Sequence, residues 1–498
     1  MKKNLIPQQE IKRGHPRGLV SYTDGDYANF ASLLLEAINN AYVRDLTSLE
    51  LKLITVNLTL YYEDVMADAG VWRGFTNKMH EMYGKYLPFY SIDDKEYLQD
   101  EPSLEDVKFV VWNTLVNTRS SQGRIVNPET PAVESIAEAA YRLMDEWFEE
   151  IPINEELKAY FEKADFMDDY YLQRDVLKWL TYDCYLTYVP DAEDLINSDA
   201  EDYAEILNDD HAGAYVSESQ IPYTHRIGPL ALIAQQWLSL ILIANGNKEK
   251  AQWAANQEYV MFEILKVIES DANKGMKLET PKGMQFFITC EGLNNPGPNF
   301  YDSKIVIGSF VKYHGEWNSN ADHAASQSGL DMFEQVQDHA RRMKQPEMKQ
   351  YDELLKKSKG NPFFYFESLP ALRVFMEKEL KMPEEMTSKL NAPGTEKDIV
   401  LTVLGKDKPV GLVRGGAKCL KDERNPYYDK EYAKKHAFGI ALNMPRELLE
   451  YAMEHDMLPD AALNSVKGEE RGRELVHENY DFLARALMRD RYQEVSEN

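Results

Sequence analysis

The chain has 498 residues, 44% of them hydrophobic and 11% aromatic, and a formal net charge of −27. That is enough apolar material for two or three cores and too much for a chain disordered throughout. Charge of this sign and size repels phosphate, and no basic stripe with interleaved aromatics offsets it, so neither nucleic acid nor a membrane surface is an expected partner.

The charge is unevenly placed. Residues 101–210 carry 27 acidic and 8 basic side chains, −19 of the −27. Cys184, Cys290 and Cys419 lie too far apart in sequence for a zinc knuckle or a disulfide framework, and they suit a reducing compartment. The first 14 residues have Lys2, Lys3, Lys12 and Arg13 but no apolar run of signal-peptide type. A soluble, cytoplasmic protein is the expectation.

In chain order, apolar residues at helical spacing predict helices over 27–39, 46–68 and 104–116. The clearest is 131–150. Val133, Ile136, Ala137, Ala140, Leu143, Met144, Trp147 and Phe148 share one face, and Glu134, Glu138, Asp145 and Glu149 share the other. Pro131 suits the first turn and Thr130 can cap it. Further helices are predicted over 154–163, 174–186 and 248–270. The apolar run 228–244 is interrupted by Gln235 and Gln236 and is short for a membrane span, so it reads as a buried core helix. The many tyrosines, among them Tyr61, Tyr62, Tyr170, Tyr171 and Tyr185, suit a layer at the core edge with hydroxyls outward.

After Gly275 the pattern changes. Residues 284–290 and 304–313 are rich in β-formers and flank a turn-rich stretch with Asn294, Asn295, Pro296, Gly297 and Pro298. His314 and Gly315 turn the chain next. Helices follow at 331–343 and 346–357, then a strand at 363–366. Ser368 opens a helix running to Leu380. Residues 398–404 and 409–414 read as a hairpin around 405–408, 437–442 as a strand, and 445–454 and 469–491 as helices. This order gives an α+β fold: a mostly α-helical, acidic N-terminal region (1–275), a mixed strand and helix connector (276–359), and a smaller α+β C-terminal domain (360–498). No internal repeat is present.

Chemical signals are sparse. The run 411–419 (GLVRGGAKC) resembles a phosphate loop, but Ala417 separates Gly416 from Lys418, and Cys419 stands where a P-loop has a hydroxyl. What survives is a glycine-rich turn whose Arg414 and Lys418 can hold a carboxylate or phosphate. Arg424, between Glu423 and Asn425, either joins them or closes a local ion pair with the neighbouring acids. Cys419 beside Lys418 is the candidate reactive thiol, against a competing reading as a buried, inert one. His314, His323 and His339 can meet only through tertiary folding. The adjacent pairs Asp322-His323 and Asp338-His339 lack the spacing of metal ligands, so no metal and no cofactor is expected. Signatures of α/β-hydrolases, dinucleotide-binding folds, EF-hands and kinases are absent.

The segment 410–413, then Lys418-Cys419-Leu420-Lys421-Asp422-Glu423-Arg424-Asn425-Pro426-Tyr427-Tyr428-Asp429, and the later stretch 456–465 (DMLPDAALNS), resemble a family of uncharacterised proteins from gut anaerobic bacteria. The likeness is clearest over the last 100 residues. It implies a cytoplasmic bacterial protein with a terminal α+β module, and it carries no catalytic residue.

The residues therefore favour a binding or scaffolding protein over an enzyme. Its acidic helical surface would meet a basic protein partner, and its C-terminal module would hold a small anionic or peptide ligand through Arg414, Lys418 and Arg424. The alternative is a hydrolase or transferase with its site between the helical and C-terminal regions.

Overall fold

The structure, a computed structural model, describes residues 6–41, 46–93, 95–119, 127–343, 347–382, 384–390, 398–404, 411–442, 444, 446–457, 467–487 and 489. The chain forms two compact units, Met1–Gln337 and Asp338–Asn498.

Among its described residues the first unit begins with twelve α-helices: α1 (Gln8–Arg13), α2 (Asp24–Ala41), α3 (Ser48–Ala67), α4 (Val71–Tyr83), α5 (Leu104–Arg119), α6 (Pro131–Trp147), α7 (Glu155–Lys163), α8 (Tyr170–Tyr182), α9 (Ala192–Leu207), α10 (Asp210–Thr224), α11 (Ala234–Ala244) and α12 (Lys248–Ala255). α3 starts with a capping box. Thr47 Oγ1 accepts from the Glu50 N–H (3.1 Å), and Glu50 Oε2 accepts from the Thr47 N–H (2.7 Å). Its second half is buried on every side, so its polar residues need partners. Asp64 finds them at the start of α4, accepting from the Val71 N–H (3.1 Å), the Trp72 N–H (2.7 Å) and the Tyr185 hydroxyl (2.8 Å). Trp72 belongs to an aromatic cluster with Phe75, Phe109 and Trp237, fully or almost fully buried, with neighbouring ring centroids about 5 to 6 Å apart. α11 is the buried helix expected within 228–244, and among the described residues no helix is long and apolar enough to cross a membrane.

The expected helix at 248–270 is two elements. α12 ends at Ala255, and β1 (Tyr259–Asp271) follows. Val260, Phe262 and Ile264 are buried and Met261 is exposed, a two-residue period that wins over the helical one once Asn256 has ended α12. β2 (Gly275–Glu279), β3 (Gln285–Thr289), β4 (Ile305–Tyr313), β5 (Glu316–Ser319) and β6 (Ala324–Ser326) complete a sheet in the order β1-β2-β3-β5-β4-β6. A further antiparallel pairing of β1 with β4 closes five of these strands into a small barrel. Leu265, Met276, Leu278, Ile288, Val306 and Phe310 are the centre of its core. α13 (Leu330–Met343) follows, with Phe333 packed on Ile264 and Ile305.

The second unit has α14 (Glu347–Lys357), β7 (Phe363–Phe366), α15 (Leu369–Glu379), α16 (Glu384–Thr387), β8 (Val400–Val403), β9 (Gly411–Arg414), α17 (Lys430–Leu442), α18 (Arg446–Glu454) and α19 (Glu469–Leu487). β7, β8 and β9 make an antiparallel sheet, with Phe363 opposite Val403 and Val400 opposite Arg414. Ser368 caps α15 by accepting from the Ala371 N–H (3.3 Å), as its sequence indicated. Residues 437–442 are not a strand; they finish α17, whose Ala433 and Ala437, one turn apart, pack on Cys419. The hairpin turn 405–408 and the stretch 458–465 lie outside the described residues. The fold is α+β, with a helical N-terminal region and a mixed C-terminal one.

Candidate functional site

The acidic stretch 101–210 keeps its charge outside. Of its acidic residues only Asp106 and Glu129 are buried. The anionic character is strongest around α9. Between Lys178 and Arg226 there are 11 acidic residues and no lysine or arginine. α9 contains no buried residue, and its Glu193, Asp194, Asp199, Glu201, Asp202 and Glu205 are all exposed. Two features hold so polar a helix in place. Tyr203 and Leu207 pack with Val216 of α10 and Phe262 of β1. α9 also crosses α10 at Gly213, where a Cβ would lie 2.4 Å from the Ala200 carbonyl oxygen.

The N-terminal end of α9 borders an open groove of about 620 Å³. Its floor is apolar and comes from α3: Leu49, Leu53, Val56 and Leu60. Leu49 is 64% exposed, a large apolar side chain left facing solvent. Val189, Pro190 and Ile196 continue the apolar surface toward α9. At the rim, Glu10 pairs with Lys52 (2.6 Å) and Arg13 with Asp183 (3.0 Å). Asp191, Glu193 and Asp194 are exposed and have no basic partner among the described residues.

The α1 wall is anchored from beneath. Trp179 Nε1 donates to the Gly14 carbonyl (2.7 Å). His15, 5% exposed, donates from Nε2 to Glu63 Oε2 (2.8 Å), while Asn154 Nδ2 donates to Glu63 Oε1 (2.7 Å). Burial works against a charged His15 ring, but Glu63 and then Asp24 outweigh it and hold the imidazole above its ordinary value.

The residues singled out in the sequence have these places. Arg414 is exposed at the end of β9, and Gly415, at φ 73°, turns the chain there. Lys418 Nζ lies 5.1 Å over the Tyr432 ring. Neither has an acidic partner among the described residues. Arg424 is occupied: its Nη2 pairs with Asp422 Oδ2 (3.1 Å) and donates to the Phe363 carbonyl (3.2 Å). Asp422 also accepts from Tyr365 (2.7 Å) and Asn361 (3.1 Å), so Arg424 belongs to a knot that ties the loop to β7.

Cys419 is fully buried, and burial pushes its thiol up to about 12 despite Lys418, which selects the inert reading. His314 donates to the Met167 carbonyl (3.1 Å) and meets Trp253 edge-on. His323 sits against Ser319 Oγ (3.0 Å) and Phe300, and burial holds its ring below the ordinary value. These are separate surroundings, and the His339 side chain lies outside the described residues. Among the described residues no group of three His, Cys, Asp or Glu side chains has metal-binding geometry.

The groove was not read from the sequence. Its signal was there in weak form: Leu49 and Leu53 share a helical stripe whose outer end extends beyond the buried face of α3, and a lysine-free window follows the Pro190 turn.

A helical body with an open acidic-walled groove, and a sheet-bearing second unit, define an α+β protein. Within that class the chain belongs to the family described as protein of unknown function, DUF3843, whose profile matches residues 5–273 and 308–489. The match covers most of the chain, and the family has no described activity. No curated protein and no solved structure matches the chain.

Proposed function

We propose that this is a partner-binding protein whose groove takes a cationic amphipathic helix from a basic protein. The observation that carries the reading is an apolar floor, open at Leu49, beside the unneutralised acids of the α9 N-terminal end. An amphipathic helix with apolar anchors at i, i+3/i+4 and i+7 would cover the floor, and its Lys and Arg side chains would face Asp191, Glu193 and Asp194. The free state of all three cysteines supports a reducing, cytoplasmic setting.

The test is fluorescence anisotropy with a labelled helical Lys/Leu peptide of about four turns, compared with a peptide of the same composition whose leucines are dispersed. The reading expects the amphipathic peptide to bind at least about tenfold more tightly, to weaken at about 1 M salt, and to lose about tenfold on Leu49→Asp. Equal binding of the two peptides, or indifference to Leu49→Asp, refutes it.

For the second unit we assign an anionic ligand to Arg414 and Lys418, supported by their lack of acidic partners among the described residues. Titration of inorganic phosphate against the Arg414→Gln/Lys418→Gln variant checks it; identical affinity for both proteins removes the assignment. The hydrolase or transferase alternative has less support. The hydroxyl beside His323, that of Ser319, is buried and already donates to the Ala321 carbonyl (2.7 Å).

A further inference from the structure

A second cavity, of about 320 Å³, opens in the first unit where α8 and α10 meet the loop after β3 and the connection after β5. Arg174 of α8 lines it. Its Nη1 donates to the Asn320 carbonyl (2.7 Å), which fixes the guanidinium in place. The guanidinium carbon lies 5.9, 5.3 and 5.7 Å from the ring centroids of Tyr170, Tyr171 and Tyr215. No carboxylate lies within ion-pair distance of Arg174 among the described residues, and its Nε is buried without an acceptor. The Tyr215 hydroxyl is a second polar neighbour of the guanidinium, so what Arg174 lacks at this cavity wall is a counter-ion. A half-buried guanidinium in that state gains by taking an anion with its planar fork.

The same cavity is lined by one carboxylate, Asp322, which is exposed and has no hydrogen-bond or ion-pair partner among the described residues. Arg174 and Asp322 thus face one small space without neutralising each other. The remaining lining adds no net charge, since burial keeps the His323 imidazole toward its neutral form. Tyr171 donates to Asn294 Oδ1 (3.1 Å), holding the loop after β3 as a wall. One fixed cation, one anion and the rings of Tyr171 and Tyr215 lining one cavity suit a ligand that is itself dipolar. A carboxylate would meet Arg174, and an ammonium would meet Asp322 and an aromatic face.

We propose that this cleft binds a free α-amino acid, recognised by its carboxylate at Arg174 and its ammonium at Asp322. The site is independent of the groove, and binding needs no chemical step.

The experiment is isothermal titration of the full chain with each of the twenty common α-amino acids. The best binder is then compared with its decarboxylated amine and its deaminated acid. The expected result is binding of at least one amino acid about tenfold more tightly than either analogue. Arg174→Gln should abolish binding. Arg174→Lys, which keeps the charge but loses the fork, should weaken it about tenfold. Asp322→Asn, at an exposed position, should weaken the amino acid while leaving the deaminated acid unchanged. The proposal is overturned if no amino acid binds at about 10 mM, if the deaminated acid binds as well as the amino acid, or if folded Arg174→Lys binds like the wild type.

Discussion

Asp106 gives the sharpest test of how the helical body is built. It is wholly buried and accepts from Tyr61 (3.0 Å), Tyr97 (2.9 Å) and the Ser103 N–H (3.3 Å). Burial pushes its carboxyl up from 3.8 to about 7, against these hydrogen bonds, which favour the charged form. In the unfolded chain the group titrates near its ordinary value. Between about pH 4 and pH 7 the folded state therefore holds a proton that the unfolded state lacks, and the contribution of Asp106 to stability falls as pH rises through that window. Between pH 5 and pH 8 the change amounts to about 2.5 kcal/mol. Asp106→Asn removes the titration and costs about 1 kcal/mol for one weakened tyrosine bond. Urea unfolding of both proteins, followed by tryptophan emission, measures the difference. All seven tryptophans lie in the first unit, so the signal reports on it. The deficit of the variant should be larger at pH 5 than at pH 8 by about 2.5 kcal/mol. A deficit that is constant with pH, or larger at pH 8, refutes the reasoning. Asp64, raised to about 6, acts in the same direction but is present in both proteins and cancels.

Gly213→Ala sets a Cβ against the Ala200 carbonyl and the Ala204 backbone; it should cost about 1–3 kcal/mol and speed proteolysis within α9, and unchanged cleavage would deny the close crossing. Asp422→Ala strands the Tyr365 hydroxyl and frees Arg424, so circular dichroism should show a loss of about 2–3 kcal/mol. Burial pushes Cys184 up to about 11 and Cys419 to about 12, while Cys290 is half-exposed. A thiol reagent at about pH 8 should then modify Cys290 quickly in the native protein and all three only in denaturant; early labelling of Cys419 would contradict its burial.

Several helices of the first unit were legible because burial on one face leaves a periodic trace, as in 131–150, and because Thr130 announces its cap locally, as Ser368 does in the second unit, whereas α1, α4, α9 and α10 were not read. β1 was not, because Lys248 to Ala255 is a true helix and the apolar residues after it also fit a helical stripe; only their pairing with β2 and β4 settles the period. Residues 437–442 failed in the opposite direction. Ala437 and Ile440 look strand-like in isolation, and it is packing around Cys419 that carries α17 through them. The barrel was invisible for a similar reason. Closure depends on β1 meeting β4 across about 40 to 50 residues of sequence, a contact that local pattern does not encode. At the sites, acidic excess was plain in composition, whereas the groove floor and the Arg174 cleft exist only where α3 meets α9 and where α8 meets the barrel loops.

Hydrogen–deuterium exchange of the full chain, with and without the saturating amphipathic Lys/Leu peptide, tests the partner-binding reading most directly. The account predicts slowed exchange in the first half of α3 and at the start of α9, and little change elsewhere. Protection spread evenly over the acidic helices, or confined to other segments, would mean that charge alone attracts the peptide and that the groove is not where a partner docks.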